Sequence, residues 1–432
     1  MSDLVIHLRN LRCVAATVFV FTVFVCTVHG ADRDAVGQAK EESSSRERDP
    51  IVVTADAIRI HQTAPVFDGH NDLPWALRKS GSAVGKIDLR KNQPDLHTDI
   101  PRLRTGGVGA QFWSVYVPVS TATQNNALTT TLEQIAVVRE LTKQYSDVFE
   151  LAMTAEDVKR ISGKGKIASL IGVEGGHSIE NSINVLRQLY REGARYMTLT
   201  HSMSLDWADS STDDPISGGL SPFGEEIIHE MNRLGMIVDL SHVSAACMRK
   251  ALAITEAPVM FSHSSAHAVA NHPRNVPDDV LLLTKQNGGV VMVNFFSDYV
   301  HPIDAARSLK RTARREKLNE LYPDDQEKAR SALRQWELKN PRSQRCTVHD
   351  LLDHIDHIVK VAGVDHVGLG SDFDGVPALP SQLADVSTYP VITQGLLDRG
   401  YHERDIRKVL GGNVMRVFEQ VERVSSKLSQ QK

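Results

Sequence analysis

Cysteine is scarce in this chain: four occur in 432 residues, and Cys13 and Cys26 fall in an apolar N-terminal run, leaving Cys247 and Cys346 for everything else. A disulfide-stapled scaffold is therefore excluded, and whether those two pair cannot be read from spacing. No N-x-S/T acceptor occurs; for an exported chain that favours a bacterial periplasm over a eukaryotic secretory route. Basic excess is missing too. The formal net charge is -4, and no Lys/Arg cluster interleaves with aromatics, so nucleic-acid binding is set aside. A glycine-rich turn opening a helix after an early strand, the mark of an open dinucleotide-binding sheet, is absent as well, since Gly163 to Gly165 precede an apolar run.

What is present is an ordinary globular composition, 41% hydrophobic and 24% charged, large enough for one barrel-sized domain with insertions. Residues 1–30 stand apart: Arg9 and Arg12 precede the run Cys13 to Val28, followed by small residues near Gly30. This pattern predicts a signal peptide or an uncleaved N-terminal anchor, hence an exported protein, periplasmic or secreted, with membrane attachment open only through that segment. Residues 31–50, AKEESSSRERDP among them, read as a flexible linker, and the folded domain is expected over 51–425.

Eight short apolar runs follow, at 66–72, 109–117, 166–175, 195–201, 235–242, 258–263, 289–296 and 366–373. Between them lie stretches of helical period, including Thr130 to Tyr145, Ile179 to Arg191, Phe223 to Leu234, Ser244 to Thr255, Asp278 to Gln286 and Val348 to Val361. Apolar strands alternating with helices predict a parallel sheet, and eight units predict an α/β fold, the (β/α)₈ barrel. Residues 301–346, dense in Lys, Arg, Glu and Gln, read as a charged helical insertion between the seventh and eighth strands.

The polar residues capable of chemistry gather at the ends of these runs: His70 and Asp72 on the first, Glu174 on the third, His201 on the fourth, His242 on the fifth, His263 on the sixth and Asp372 on the eighth. Barrel enzymes build their sites from that carboxyl-terminal rim. In an extended strand His70 and Asp72 project to one side, and an imidazole beside a carboxylate suits zinc better than calcium or magnesium. Three imidazoles and two carboxylates exceed what one tetrahedral zinc uses, and suit two metals if a carboxylate bridges. Glu174, followed by Gly175 and Gly176, is the natural bridge. His177 reads as a packing group, His267 and His272 as candidates for enclosing a substrate, and His349, His354 and His357 as the polar face of a helix.

The runs FDGHNDLPW, LIGVEGGHSIE, MTLTHS, GMIVDLSH, FSHSSAHAV with RNVPDDVL, and GLGSDFDGV resemble the membrane dipeptidase family over residues 60–420. The resemblance implies a barrel of the metal-dependent hydrolase type, a homodimer, and a dipeptidase working through a hydroxide shared by two zinc ions. It implies one zinc on His70, Asp72 and bridging Glu174 and another on Glu174, His242 and His263. His201, Arg274 and Asp372 would then face a dipeptide substrate, with Glu174, His201 and Asp372 catalytic. Met203 stands where animal members often carry cysteine, so a family disulfide is expected to be missing, and the polar end VERVSSKLSQQK lacks a GPI signal. A related hydrolase acting on a lactam or an N-acyl amino acid, and an inactive binding protein, are the alternatives.

Overall fold

Among the described residues, alternation of buried apolar strands with amphipathic helices produces nine parallel strands: β1 (Val66–Asn71), β2 (Val108–Tyr116), β3 (Phe149–Leu151), β4 (Ile167–Glu174), β5 (Ala194–Thr198), β6 (Ile237–Asp239), β7 (Met260–Phe261), β8 (Val290–Val293) and β9 (Val367–Leu369). The computed structural model describes residues 48–81 and 86–431, so the expectations for 1–30 and for the linker up to residue 47 lie outside the described residues. The order β2-β1-β9-β8-β7-β6-β5-β4, with β2 pairing β4 again, closes eight strands into a barrel. The ninth, β3, pairs with Ile167 to Ser169 on the edge of β4 that β5 takes up from Ile171 onward. Three residues carry no period, which is why the sequence does not announce it.

All eight expected runs are barrel strands, and all but the second, which keeps its length as Val108–Tyr116, are shorter than the apolar pattern: 235–242 contributes only Ile237–Asp239, and 258–263 only Met260–Phe261. Their polar ends leave the ladder and fold over the rim. Several helices begin at side-chain caps, with Ser221 accepting from the Gly224 amide and Ser244 from that of Cys247. Two expected starts move by more than one residue. The helix expected from Thr130 begins earlier, at Ala127. Glu180 and Asn181 are left-handed after a 3₁₀ turn at Gly176–Ile179, so the helix expected from Ile179 starts at Ile183 behind its Ser182 cap.

Phe67, Ala110, Phe112, Leu170, Met260 and Met292 form an interior cluster with Val414, Val417, Phe418 and Val421. Those last four recur at helical spacing on Asn413–Gln430, so the final helix closes the barrel. Each such side chain contributes roughly 1.5–3 kcal/mol by leaving water. Helices Pro302–Leu321 and Gln326–Lys339 form the charged insertion between the seventh and eighth barrel strands, tied at its base by Arg342 to Asp298 and by Ser343 to Asp304. Cys247 and Cys346 are buried and free. Among the described residues no helix is long and apolar enough to cross a membrane.

Candidate active site

The ends of the barrel strands decide where the polar groups go. His70 lies near the end of β1 with Asp72 just past it, and Glu174 ends β4. His201, His242, His263 and Asp372 stand two or three residues beyond β5, β6, β7 and β9, while Arg274 returns to the rim from the loop after β7. His242 and Asp372 have left-handed backbone, φ 69 and 64, a conformation costly for residues with a Cβ, and at these two positions it turns the side chains onto one point. Strand β1 needs a further device. Strict alternation from interior Phe67 would turn Asn71 inward rather than His70, but the pairing of β1 with β2 shifts register between Asp68 and Asn71, and that shift turns His70 towards the interior.

Seven of the eight candidates form one cluster, with Glu174 at its centre. Its Oε1 lies 3.1 Å from His242 Nε2, 3.4 Å from His263 Nε2, 3.7 Å from His70 Nε2 and 3.8 Å from His201 Nε2. His70 Nε2 is 3.3 Å from Asp72 Oδ2, and Asp72, His70 and Asp372 bring ligand atoms within 4.8 Å of one another. The same spread holds for His70, Glu174 and His263 and for Glu174, His201 and His242. Arg274 lines the cleft above them, about 350 Å³ in volume, together with Trp75, Tyr116 and Tyr299.

These contacts demand a cation. His242 and His263 point Nε2 atoms at each other across 2.9 Å, where at most one proton fits, and buried His70 Nε2 has no hydrogen-bond partner. Burial and nearby Arg274 hold the His242 imidazole well below its ordinary value; at His263 burial acts first, with His70 and Arg274 adding to it, so both rings are neutral and could bind a metal ion. Burial alone would lower His70 too, but the carboxylates of Glu174 and Asp72 outweigh it and hold its proton up to about 10. Burial raises Glu174, yet His70, His201 and the hydrogen bonds from His242 and His263 keep it well below the usual carboxylate range. Asp372 is pushed up to about 8 by burial, reinforced by Asp72 and Glu174 and opposed by His70. A metal ion would replace that proton and match a donor set of neutral imidazoles and carboxylates.

The two strand ends that carry neither histidine nor carboxylate also serve the site. From β2, Ser114 donates to Glu174 Oε2 at 3.2 Å and Tyr116 packs on the His201 ring; just past β8, Asn294 donates to Asp372 Oδ2 at 2.9 Å. A side chain at Gly375 would strike the carboxylates of Asp72 and Asp372. The signal for all of these was position at a strand end rather than residue type. His177 is a packing group, its Nε2 3.2 Å from the Val117 carbonyl, and a side chain at Gly175 would meet its ring. His272 lies beside the cleft, its Nδ1 accepting the Arg274 amide, in a larger cavity between the rim and the insertion helices.

Parallel barrels that gather imidazoles and carboxylates at this rim are metal-dependent hydrolases, and fold and site assign the chain to that class. The model of the membrane dipeptidase family, peptidase family M19, matches residues 54–432, and the chain belongs to that family. It is accordingly a metal-dependent peptide-bond hydrolase. Among solved structures it is similar to the probable dipeptidase PvdM from Pseudomonas aeruginosa, 25% identical over 85% of this chain and 98% of that one, with a TM-score of 0.74. It is likewise similar to dipeptidase AC, a family M19 metallopeptidase, 25% identical over 83% of this chain and 99% of that one, with a TM-score of 0.69. A metallopeptidase from Rhodobacter sphaeroides, liganded with a phosphinate mimic of the dipeptide L-Ala-D-Ala, shares the fold at 24% identity over 83% and 99%, TM-score 0.68.

Proposed function

We propose that this chain is a zinc-dependent dipeptidase cleaving the single peptide bond of dipeptides with free termini. The observation that carries the reading is the meeting of His70, His242 and His263 Nε2 atoms on Glu174 Oε1 beneath a buried guanidinium, Arg274. Two zinc ions, one held by His70, Asp72 and Glu174 and the other by Glu174, His242 and His263, would supply Lewis acidity for the scissile carbonyl and lower the pKa of the attacking water. Asp372, oriented by Asn294, takes the proton from that water and delivers it to the leaving amine. His201, edged by Tyr116, donates to the oxyanion as it develops.

Arg274 reads the substrate carboxylate. It is 1% exposed, with Nη1 on Ser264 Oγ, Nη2 on the His263 carbonyl and Nε without a partner, and among the described residues no carboxylate pairs with it. A buried cation lacking a counterion suits an arriving anion, and a carboxylate reader one residue from the scissile bond restricts the enzyme to dipeptides. The dipeptide mimic carried by the Rhodobacter sphaeroides relative supports the same substrate class. Export rests on residues 1–30 and a homodimer on family analogy alone.

The test is to strip the enzyme with a chelator, reload it with zinc, count the metal by elemental analysis, and assay a panel. The panel holds L,L- and L,D-dipeptides, their amides, a tripeptide, an N-acyl amino acid and a lactam. We expect two zinc ions per chain and cleavage of the free dipeptides only. One zinc per chain would remove the bridging role of Glu174, and preferential cleavage of the lactam or the N-acyl amino acid would replace the dipeptidase reading with that amidohydrolase.

A further inference from the structure

Two buried aspartates beside the histidine and carboxylate cluster repeat one construction on two strand pairs, β1 with β9 and β6 with β7, that only β8 separates. Asp68 on β1 pairs in register with Leu369 on β9, and Asp239 on β6 pairs with Met260 on β7. Two residues beyond each partner stands a serine, Ser371 and Ser262, and the next residue is a site residue, Asp372 and His263. In each case the carboxylate takes both the amide and the hydroxyl of that serine: Asp68 Oδ1 accepts Ser371 N at 2.8 Å and Oδ2 accepts its Oγ at 2.7 Å, while Asp239 Oδ1 accepts Ser262 N at 2.8 Å and Oδ2 its Oγ at 2.7 Å. Each Oδ1 also accepts the amide two residues on in its own strand, that of His70 at 3.3 Å and that of Ser241 at 3.1 Å. Tyr389 completes the first carboxylate and Thr198 the second.

The chemistry beyond the serines differs. Because Ser262 Oγ gives its proton to Asp239, it is left to accept from His263 Nδ1, 2.8 Å away. That puts the imidazole proton on Nδ1 and leaves Nε2 bare, facing Glu174 and His242. Ser371, clamped by Asp68, instead fixes the start of the left-handed turn that aims Asp372.

We propose that Asp68 and Asp239 are a matched pair of positioning residues, each seizing the serine that precedes a site residue on the neighbouring strand, so that Asp239 sets the tautomer of His263 and Asp68 sets the direction of Asp372. The inference rests on the reading of His263 as a metal ligand. In Asp239→Asn the new amide N–H₂ donates to Ser262 Oγ, whose own proton turns to His263 Nδ1; the imidazole proton then moves to Nε2, where it opposes a cation.

The test uses the full-length enzyme, stripped and reloaded with cobalt(II), whose absorption spectrum reports its ligands, with affinity measured by competition against a chelator. Asp239→Asn should lower cobalt affinity about 10–100-fold and alter the spectrum, and Ser262→Ala should do the same to a smaller degree. Asp68→Asn should keep the cobalt spectrum while lowering kcat without raising KM, and Ser371→Ala should follow it. Thermal melts confirm folding, and if Asp239→Asn or Asp68→Asn does not fold, the serine variant of that pair decides. Wild-type cobalt affinity and spectrum in Asp239→Asn or in Ser262→Ala, or unchanged kcat in Asp68→Asn or in Ser371→Ala, overturns the proposal. His263→Ala separates the two readings: if it too binds cobalt as the wild type does, the ligand assignment fails rather than the clamp.

Discussion

Two parts of the chain are rich in histidine and acid, and only one of them groups its ligand atoms as a metal ion would need. The helix Val348–Val361 carries His349, His354 and His357 among Asp350, Asp353 and Asp356, a denser cluster in sequence than anything at the barrel rim. Its polar groups are nonetheless spoken for. Buried His354 accepts the Ala266 amide at Nδ1 and gives Nε2–H to the Val300 carbonyl, His357 meets Asp278, and Arg399 gathers Asp353 and Asp356. At the rim, residues drawn from six strands leave buried His70 Nε2 without a hydrogen-bond partner and two imidazoles facing each other. Density of ligand types does not mark a site. Unmatched lone pairs held together by the fold do, because leaving them unpaired costs free energy that only a bound ion recovers.

The sharpest way to break this contrast is to remove the shared carboxylate. Glu174→Gln should lose metal and depress turnover by several kcal/mol of barrier, on the order of 10⁴-fold, with elemental analysis and hydrolysis rates as the checks; retained metal would put the two clusters on the same footing. Asp372→Asn should come next, lowering kcat about 10²–10³-fold with KM little changed. With Asp372 as the proposed base, wild-type activity should fall as pH drops through its pKa. Burial pushes that carboxyl up to about 8; bound cations favour its ionised form, so the acid limb of the profile should lie below that value and be absent from the variant.

The helix cluster should answer in the opposite way. His354→Ala leaves the Ala266 amide and the Val300 carbonyl unpaired and should cost about 2–4 kcal/mol of stability with metal content unchanged, measured by denaturant unfolding and elemental analysis. Its titration sharpens the point. Burial pushes His354 down to about 4 from an ordinary 6.5, so the unfolded chain takes the proton first. The stability this group contributes is full above pH 6.5 and drains away as the pH falls towards 4, by at most about 3 kcal/mol, a slope that His354→Ala should flatten.

Arg274→Met is expected to have the smallest effect, about 1.5–3 kcal/mol in kcat/KM with metal retained, together with loss of the preference for a free acid over a C-terminal amide. The acidic neighbours that could have made Arg274 merely structural are occupied elsewhere, Asp279 by Arg249 and Asp278 by His357. Unchanged discrimination would mean that its buried charge serves the rim loops alone.

The amino-acid sequence by itself determined the class of architecture and the cast of the site. Eight apolar runs became eight barrel strands, and His70, Asp72, Glu174, His201, His242, His263 and Asp372 stand at or just past their ends, because burial on both faces and the period of the helices are local properties written residue by residue. The tertiary structure alone decided which lone pairs stay unmatched. The register shift that turns His70 inward, the left-handed backbones of His242 and Asp372, the parts taken by Ser114 and Asn294, and the serine clamps of Asp68 and Asp239 all depend on neighbours far off in the chain. His354 and His263 are the same residue type with opposite fates. A lone pair is paired or orphaned according to which distant groups the closed barrel brings within about 3 Å of it.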